Sequence, residues 1–359
     1  MPSSERPKFH DWPANAPEEM PSSDVQKMYE RGFAGCEFRE HRVREAHDWY
    51  CDYIDSQGNW SDASGESAAY RWGIVGSGAG KLSAPWTAIT ATYPGCLPGP
   101  AQQRGSCVAH GQKNSNLGSC CSEVVWGTVD QVTGTIESAP VISAEGIRNG
   151  AFSTEAIYWY RGSNSDGWYC PASAAVSTTK AGCVVRREYE EANIDLTVYS
   201  GRLEGLYGRT PPPSQIAAAL DDHLIRTSTS LSGVEQLIDF MANGYCVNSC
   251  GGEGFSTTRD ENGVSPRRGS WSHAMAYLGV DARPWVQQKY NEPALVLVQN
   301  SWARFNSGPR KVYDSNLMIP EGSFWAKWSD VSRRNMMSMS SVAGWPPKKL
   351  TEIIPTGLT

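Results

Sequence analysis

The chain has 359 residues, enough for one large domain or two ordinary ones with a substantial core. Its 32 basic and 38 acidic residues are mixed along the sequence and give a formal net charge of −6, which provides no electrostatic case for partners such as nucleic acid or an anionic membrane. The 14 Trp and 15 Tyr favour packed or contact surfaces over disorder.

No positively charged start followed by an apolar core opens the chain, and no apolar run approaches the ~20 residues that cross a bilayer. We therefore expect a soluble, cytoplasmic protein whose ten cysteines are reduced. Cys246-x-x-x-Cys250 and the adjacent Cys120-Cys121 lack the paired spacing of zinc sites. The sequence thus predicts neither a metal site nor a cofactor.

Residues 1–80 form a predicted N-terminal arm, which opens Pro-rich and becomes charged and aromatic. Its glycine-rich end, 73–81, invites comparison with a phosphate-binding loop. The spacing fails, because Val75 stands where that motif needs Gly and Leu82 where it needs Ser or Thr. A flexible hinge between the arm and a following domain is the better interpretation.

A cysteine at a predicted helix start is the first candidate for chemistry. Cys107 follows Ser106, a plausible cap, and the helix is expected to run past Cys120. Gly111 and Gly118 make this helix intrinsically weak, so burial must stabilise it. The partial positive charge of a helix N-terminus favours ionisation of a thiol, which can then act as a nucleophile. By itself, the pattern is more typical of a buried structural cysteine.

The middle of the chain is predicted to form helices separated by loops. The segment 162–180 is rich in Gly, Ser and Asn and is interpreted as a loop, and 183–185 is a short strand candidate. Helices are predicted from Ser153 to Tyr160, from the cap Ser214 through Leu224, and from a capping box at 232–235 to a stop at Gly244.

Three apolar, strand-like segments follow: 245–247, 275–280 and 294–298. Helices first and strands later predict an α+β domain. His273 lies at the head of the second segment, and Asn300 follows the third within Asn-Ser-Trp. Cysteine, then histidine, then asparagine, each at the edge of a regular element, is the order that a thiol acyl-transferase needs.

These motifs resemble those of the papain-like cysteine peptidases. Gln-x-x-Gly-Ser-Cys is similar to the family's nucleophile motif, Ser-His-Ala-Met-Ala-Tyr-Leu-Gly to its histidine strand, and Asn-Ser-Trp to its asparagine motif. Residues 152–157 are similar to the helix start that follows the nucleophile helix. All four occur in family order, over roughly residues 84–330.

The resemblance implies a two-lobed α+β fold, in which a helical lobe and a β-barrel-like lobe meet at a cleft. The catalytic domain would span 81–330, with the arm before it and a C-terminal extension at 331–359. Cysteine and histidine would face each other across the cleft. His110, one turn after the cysteine, is a rival base, but it cannot face the thiol from the other side.

The resemblance also implies a Cys-His-Asn triad. Cys107 would be the nucleophile, and a protonated His273 would stabilise the thiolate and later deliver a proton to the leaving amine. Asn300 would orient the imidazole through its side-chain oxygen, and Trp302 would shield that hydrogen bond from water.

The oxyanion hole is where the chain departs from the family pattern. The family glutamine lies six residues before the nucleophile, where this chain has Ala101. A one-residue deletion would restore Gln102 as the donor, and Gln103 is the alternative. In addition, Arg104 stands where a disulfide cysteine is usual, which is consistent with a reducing compartment, and Val108 stands where the family has an aromatic residue.

The sequence is compatible with two functions. The first is a thiol endopeptidase that acts on protein or peptide substrates without a cofactor. The second is a structural or assembly protein on the same fold, with an idle or single-use triad and neighbouring subunits as partners. Papain-like proteins with long inserts and a Gly-Trp-Pro tail occur in bacteria and bacteriophages, so the second function predicts a virion component. An open cleft at the cysteine favours the first.

Overall fold

The computed structural model describes residues 78–125, 139–220 and 224–340. Most of the predicted arm, and residues 341–359 of the predicted C-terminal extension, lie outside the described residues, as do Cys36 and Cys51. The predicted mixed helix-and-sheet architecture is confirmed in the part of the chain that is described. Its helices, in chain order, are α1 (Trp86–Thr92), α2 (Cys107–Val125), α3 (Ala144–Arg148), α4 (Glu155–Tyr158), α5 (Cys170–Thr179), α6 (Gly201–Glu204), α7 (Ser214–Ala219), α8 (Val234–Ala242), α9 (Pro284–Tyr290) and α10 (Trp328–Val331).

Antiparallel pairing organises the strands into one seven-stranded sheet and one separate pair, β2 with β3. The main sheet has the order β4-β9-β5-β6-β7-β8, with β1 paired to β6. Over the described ranges this path is open and does not close on itself, so the barrel-like lobe is not formed as a closed sheet. The strands are β1 (Leu82–Ser83), β2 (Glu188–Tyr189), β3 (Ile194–Asp195), β4 (Thr227–Leu231), β5 (Val247–Phe255), β6 (Arg267–Asp281), β7 (Leu295–Gln299), β8 (Ser323–Lys327) and β9 (Asn335–Ser340).

The predicted long helix after Ser106 is confirmed as α2, which is buried on all sides from its first residue to Glu123. It packs against β5 and β6 of the sheet and against α5. A helix without an exposed face must pair its polar side chains internally. Gln112 does so by accepting hydrogen bonds from Ser173 of α5 at 2.9 Å and from Asn248 of β5 at 3.0 Å. Tertiary packing, rather than propensity, therefore stabilises α2.

The glycines of α2 let the sheet approach the helix closely. A Cβ atom at Gly111 would lie 2.4 Å from Asn248 Oδ1, and one at Gly118 would lie 2.4 Å from Cys246 Sγ. Both neighbours lie on or next to β5. The residues that weaken the helix locally are thus the ones that allow it to be buried against the sheet.

Gly118→Ala is expected to lower the free energy of unfolding by about 1–2 kcal/mol. Alanine favours the helix by about 1 kcal/mol, but overlap with Cys246 outweighs this gain. Urea unfolding measures the loss. Because the clash is with the sulfur, Gly118→Ala combined with Cys246→Ala should be less destabilised than the sum of the two single variants. A Gly118→Ala protein more stable than wild type would contradict the close approach.

One segment interpreted as a loop is partly helical. Within 162–180, residues Cys170–Thr179 form α5, which begins with Pro171 in its first turn and is rich in alanine. Cys170 is bonded to Cys250 of β5 in a disulfide, with 5.9 Å between the Cα atoms. The expectation of ten reduced cysteines is therefore wrong for this pair, since the tertiary fold brings together two residues that are 80 positions apart.

Several local boundaries also differ from expectation. Of the strand candidate 183–185, Val185 alone makes a bridge, to Phe152, and the nearest strand begins at Glu188. The helix predicted from Ser153 is the shorter α4. Ser214 is the first residue of α7 rather than its cap, and that helix ends before Leu224, at Ala219.

The predicted capping box at 232–235 is not formed. Helix α8 itself is confirmed, but its N-cap is Gly233, which has no side-chain cap. The main-chain amide of Ser232 donates to Gln236 Oε1 at 3.0 Å. In the predicted capping box, the side chain of Glu235 would have accepted that hydrogen bond. Gly244, the predicted stop, follows the helix with a φ of 83°.

The beginning of the predicted C-terminal extension is part of the main sheet. Strand β9 pairs with β4 on one side and with β5 on the other. The Met-rich run 335–340 is therefore integral to the sheet, and Met336 and Met337 belong to its buried core. This placement also brings Arg334, the residue before β9, next to β5.

Candidate active site

Cys107 is the first residue of α2, as the sequence predicts. The hydroxyl of Ser106 does not point back at the helix; it donates to Glu204 Oε2 at 2.8 Å. The main-chain amide of Ala274 on β6 donates to Cys107 Sγ at 3.4 Å. The fold thus places the thiol at a helix N-terminus and directly against the residue that follows His273.

His273 lies on β6 and contacts both predicted partners. Its Nε2 is 2.9 Å from Asn300 Oδ1, and its ring stacks on Trp302 with 4.2 Å between centroids and 21° between planes. Asn300 Oδ1 also accepts the amide of Ser301 at 2.7 Å, which fixes the orientation of the carboxamide. The structure therefore brings His273, Asn300 and Trp302 together, and the next residue on β6, Ala274, contacts Cys107.

This geometry selects the tautomer of the imidazole. An amide oxygen can only accept, so Nε2 of His273 must carry the proton that it shares with Asn300. In the neutral ring Nδ1 is then an acceptor. Nδ1 is buried and has no hydrogen-bond partner within the described part of the chain. The ring therefore has one nitrogen fixed and the other available to take a proton.

Burial governs the protonation of this histidine. Desolvation lowers the pKa of His273 to about 3, the hydrogen bond to Asn300 opposes that shift, and the charges of Arg334 and His110 add to it. His273 is fully buried, as is Cys107. In this closed arrangement the imidazole is neutral at pH 7, whereas the sequence-based mechanism begins with a protonated imidazole.

The two candidate oxyanion residues point in different directions. Gln102 is buried, and its main-chain amide donates to Ser301 O at 2.8 Å. In its side chain, Nε2 donates to Arg104 O at 2.8 Å and Oε1 accepts from Ser301 Oγ. Gln103 instead accepts from the amide of Gly201 at 3.1 Å. Gln102 is thus the glutamine that lies against the Asn-Ser-Trp segment.

The buried side chain of Glu204, which contacts the residue before the nucleophile, was not predicted from the sequence. Glu204 Oε2 accepts from Ser106 Oγ at 2.8 Å and from Tyr199 OH at 2.7 Å, and Glu204 Oε1 lies 3.4 Å from His110 Nε2. The ring of His110 also packs edge-on against Tyr199. His110, the rival base, therefore packs against Glu204 and Tyr199, and its Nε2 makes no hydrogen bond within the described residues. No local pattern marks Glu204, which lies 98 positions from Ser106.

A cavity of about 500 Å³ adjoins the loop before the nucleophile. Its lining includes Arg161, Asp166, Trp168 and Arg209, and the amide of Gly167 in its wall donates to Gly105 O at 3.1 Å. Among the residues the structure describes, no group of three or more His, Cys, Asp or Glu is arranged to hold a metal ion. In the same ranges, no helix has the length and apolar character to span a membrane.

Known proteins that are similar to the chain are found among solved structures. No protein-family model matches the chain, and no curated protein matches it significantly. Three similar solved structures are papain-like cysteine proteases. Xylellain from Xylella fastidiosa is 14% identical, with a TM-score of 0.39, over 71% of this chain and 89% of that one.

The other two structures are enzyme precursors. Digestive procathepsin L 3 of Tenebrio molitor larval midgut is 9% identical, with a TM-score of 0.38, over 90% of this chain and 100% of that one. The proform of the ragweed pollen cysteine protease Amb a 11 is 12% identical, with a TM-score of 0.38, over 89% and 93%. The chain thus resembles cysteine proteases weakly in structure.

Proposed function

We propose that the chain is a cysteine-type endopeptidase that hydrolyses peptide bonds through Cys107, His273 and Asn300 on a papain-like, two-lobed fold. One observation carries the proposal. Asn300 holds Nε2 of His273 at 2.9 Å, and Nδ1 is left without a partner next to a helix-terminal cysteine. A structural histidine in a core normally has both nitrogens satisfied, so a buried, unpaired Nδ1 favours a base.

In the first half of the reaction, Nδ1 of His273 takes the thiol proton and Cys107 Sγ bonds to the substrate carbonyl carbon. The α2 dipole favours the thiolate. The carbonyl oxygen becomes an oxyanion, for which the amide of Cys107 and Nε2 of Gln102 are the donors. Gln102 has to exchange its bond to Arg104 O for this one. The C–N bond then breaks, and His273 gives its proton to the departing amine.

In the second half, water replaces the amine. His273 removes a proton from the water, whose oxygen attacks the thioester carbon. The C–S bond breaks, the acid product leaves, and the proton returns to Cys107. The stacked Trp302 covers the bond between His273 and Asn300, which keeps the imidazole in one tautomer through both halves.

Substrate access requires movement, because neither Cys107 nor His273 has any exposed surface in this arrangement. The cavity beside Gly167, linked to the nucleophile loop through Gly105 O, is the proposed place where a substrate chain first binds. The same burial favours a second candidate, a structural or assembly protein with an idle or single-use triad, such as a virion component. Reactivity of the thiol separates the two.

The test is labelling of the full chain with an epoxide electrophile selective for papain-like thiols, with the adduct located by peptide mass spectrometry. We expect one adduct, on Cys107, and loss of at least ~10²-fold in rate in His273→Ala, because the base is removed. Cys96 is an internal control. Burial raises the pKa of its thiol to about 12, so it should not react.

Absence of an adduct on Cys107 in the full chain, and again after residues 1–77 are removed, would contradict the peptidase. That result would support the structural or assembly protein. Labelling of Cys107 that proceeds equally fast in His273→Ala would also contradict it, since the thiol would then react without the imidazole.

A further inference from the structure

Arg334 makes an unusually complete set of contacts beside the candidate site. Its side chain is fully buried. Nη2 donates to His273 O at 2.6 Å and to Ser249 O at 3.3 Å, Nε donates to Ser249 Oγ at 3.1 Å, and Nη1 lies 3.3 Å from Glu253 Oε2. A buried guanidinium is costly unless its donors are used. Here they are used on β5 and on the main chain of His273.

The contact with His273 falls where the sheet is irregular. Strands β5 and β6 pair Gly251 with His273, but the next pair is Glu253 with Ser270, so β6 carries an extra residue immediately before the histidine. A bulge re-aims side chains and interrupts the ladder of hydrogen bonds. At this interruption, the guanidinium supplies a donor to the carbonyl of His273.

We infer that Arg334 is a positioning residue for the reaction: its guanidinium fixes the main chain of His273 at the bulge and so aims the imidazole at Cys107. The inference rests on the proposed function. It assigns a role to the segment before β9, which the sequence had left in an extension without chemistry. Arg334 acts through His273 and does not touch the reacting atoms.

The charge of Arg334 gives this role a second, measurable consequence. Within the described residues, Arg334 before β9 and His110 on α2 are the charged groups that act on the imidazole, Cys107 on α2 contacts the next residue, Ala274, and Glu253 partly offsets the guanidinium. After desolvation, Arg334 is the largest contributor that lowers the pKa of His273. Loss of this charge should therefore raise the pKa of His273.

Gly251 offers a way to displace Arg334 without removing it. A Cβ at Gly251 would lie 2.5 Å from Arg334 Cγ and 2.9 Å from its Cζ, so an alanine forces the side chain to shift. At the next residue, Gly252, the nearest atom to a Cβ is Trp271 O at 3.5 Å, an ordinary contact. Gly252→Ala is thus a matched control on the same strand.

The experiment measures the rate of alkylation of Cys107 by iodoacetamide between pH 2.5 and 9.5 in the full chain, read by peptide mass spectrometry, over the part of that range in which near-ultraviolet circular dichroism shows the fold to be intact. In Arg334→Met we expect the acidic limb of the pH profile, which follows His273, to move upward by about one pH unit. Arg334→Lys keeps the charge but not the planar set of donors, so its limbs should stay in place while the rate falls about 10-fold. Gly251→Ala should slow the reaction similarly, and Gly252→Ala should match wild type.

An acidic limb that does not move in Arg334→Met, together with a normal rate in Gly251→Ala, would overturn the inference. A uniform loss of rate without a shift in Arg334→Met would reduce Arg334 to a structural residue. If near-ultraviolet circular dichroism shows that Arg334→Met does not fold, Arg334→Lys and Gly251→Ala decide on the rate alone. Failure of the proposed function looks different, because wild-type Cys107 would then titrate as an ordinary thiol, unchanged in His273→Ala.

Discussion

Glu155→Leu is expected to lower the free energy of unfolding by about 3–5 kcal/mol, because it leaves a buried charge without its partner. Glu155 Oε2 lies 2.9 Å from Arg186 Nη2, and both side chains are almost completely buried. Oε1 also accepts the amide of Ser200 at 2.9 Å, and Oε2 accepts from Ser153 Oγ at 2.7 Å. Urea unfolding at pH 7 measures the loss.

This effect is large relative to a typical domain stability of about 5–15 kcal/mol. An exposed ion pair is the control. Glu191 lies 3.9 Å from Arg187, with roughly half of each side chain in solvent, so Glu191→Gln should stay within about 0.5 kcal/mol of wild type. Equal losses in Glu155→Leu and Glu191→Gln would contradict the buried pair.

The loss in Glu155→Leu should also depend on pH. Burial by itself would raise the pKa of Glu155, but the Arg186 guanidinium and several hydrogen bonds outweigh it and lower the pKa from its ordinary value of 4.5. The carboxylate therefore stabilises the fold above that value, and its contribution is lost as the pH falls through the lower folded pKa. The gap between wild type and Glu155→Leu should narrow below pH 4.5.

Cys107→Ala and His273→Ala are each expected to reduce hydrolysis of a fluorescently labelled, denatured protein substrate by at least about 10³-fold. The thiol forms the covalent bond and the imidazole moves every proton, so neither works without the other. The double variant should be no slower than either single one, since residues that act as a unit are not additive. Initial rates at one substrate concentration suffice.

His110→Gln is the matched control for His273→Ala. His110 lies on the same helix as the nucleophile but faces Glu204 and Tyr199, so its loss should cost less than about 10-fold. The opposite ranking, with His110→Gln inactive and His273→Ala active, would transfer the base to His110 and contradict the proposed triad.

Short-range patterns placed Cys107 at the start of α2 and Asn300 directly after β7, where the structure has them. His273, predicted at the head of a strand at 275–280, instead lies inside the longer β6 (Arg267–Asp281), because that strand begins before the apolar run. An apolar run with a polar residue at its end has few local alternatives. Contacts that depend on distant parts of the chain were missed. Examples are the hydrogen bond from Ser106 to Glu204 and the hydrogen bond from Arg334 to the main-chain carbonyl of His273.

The sequence by itself determined the order and the elements of the candidate site, because helix starts and strand ends depend on neighbouring residues. The tertiary structure alone decided which groups surround it. It paired Cys170 with Cys250 and placed β9 inside the sheet. It also buried His273 so deeply that the pKa of its imidazole falls to about 3. Desolvation, long-range pairing and the approach of buried charges arise only when distant segments pack together.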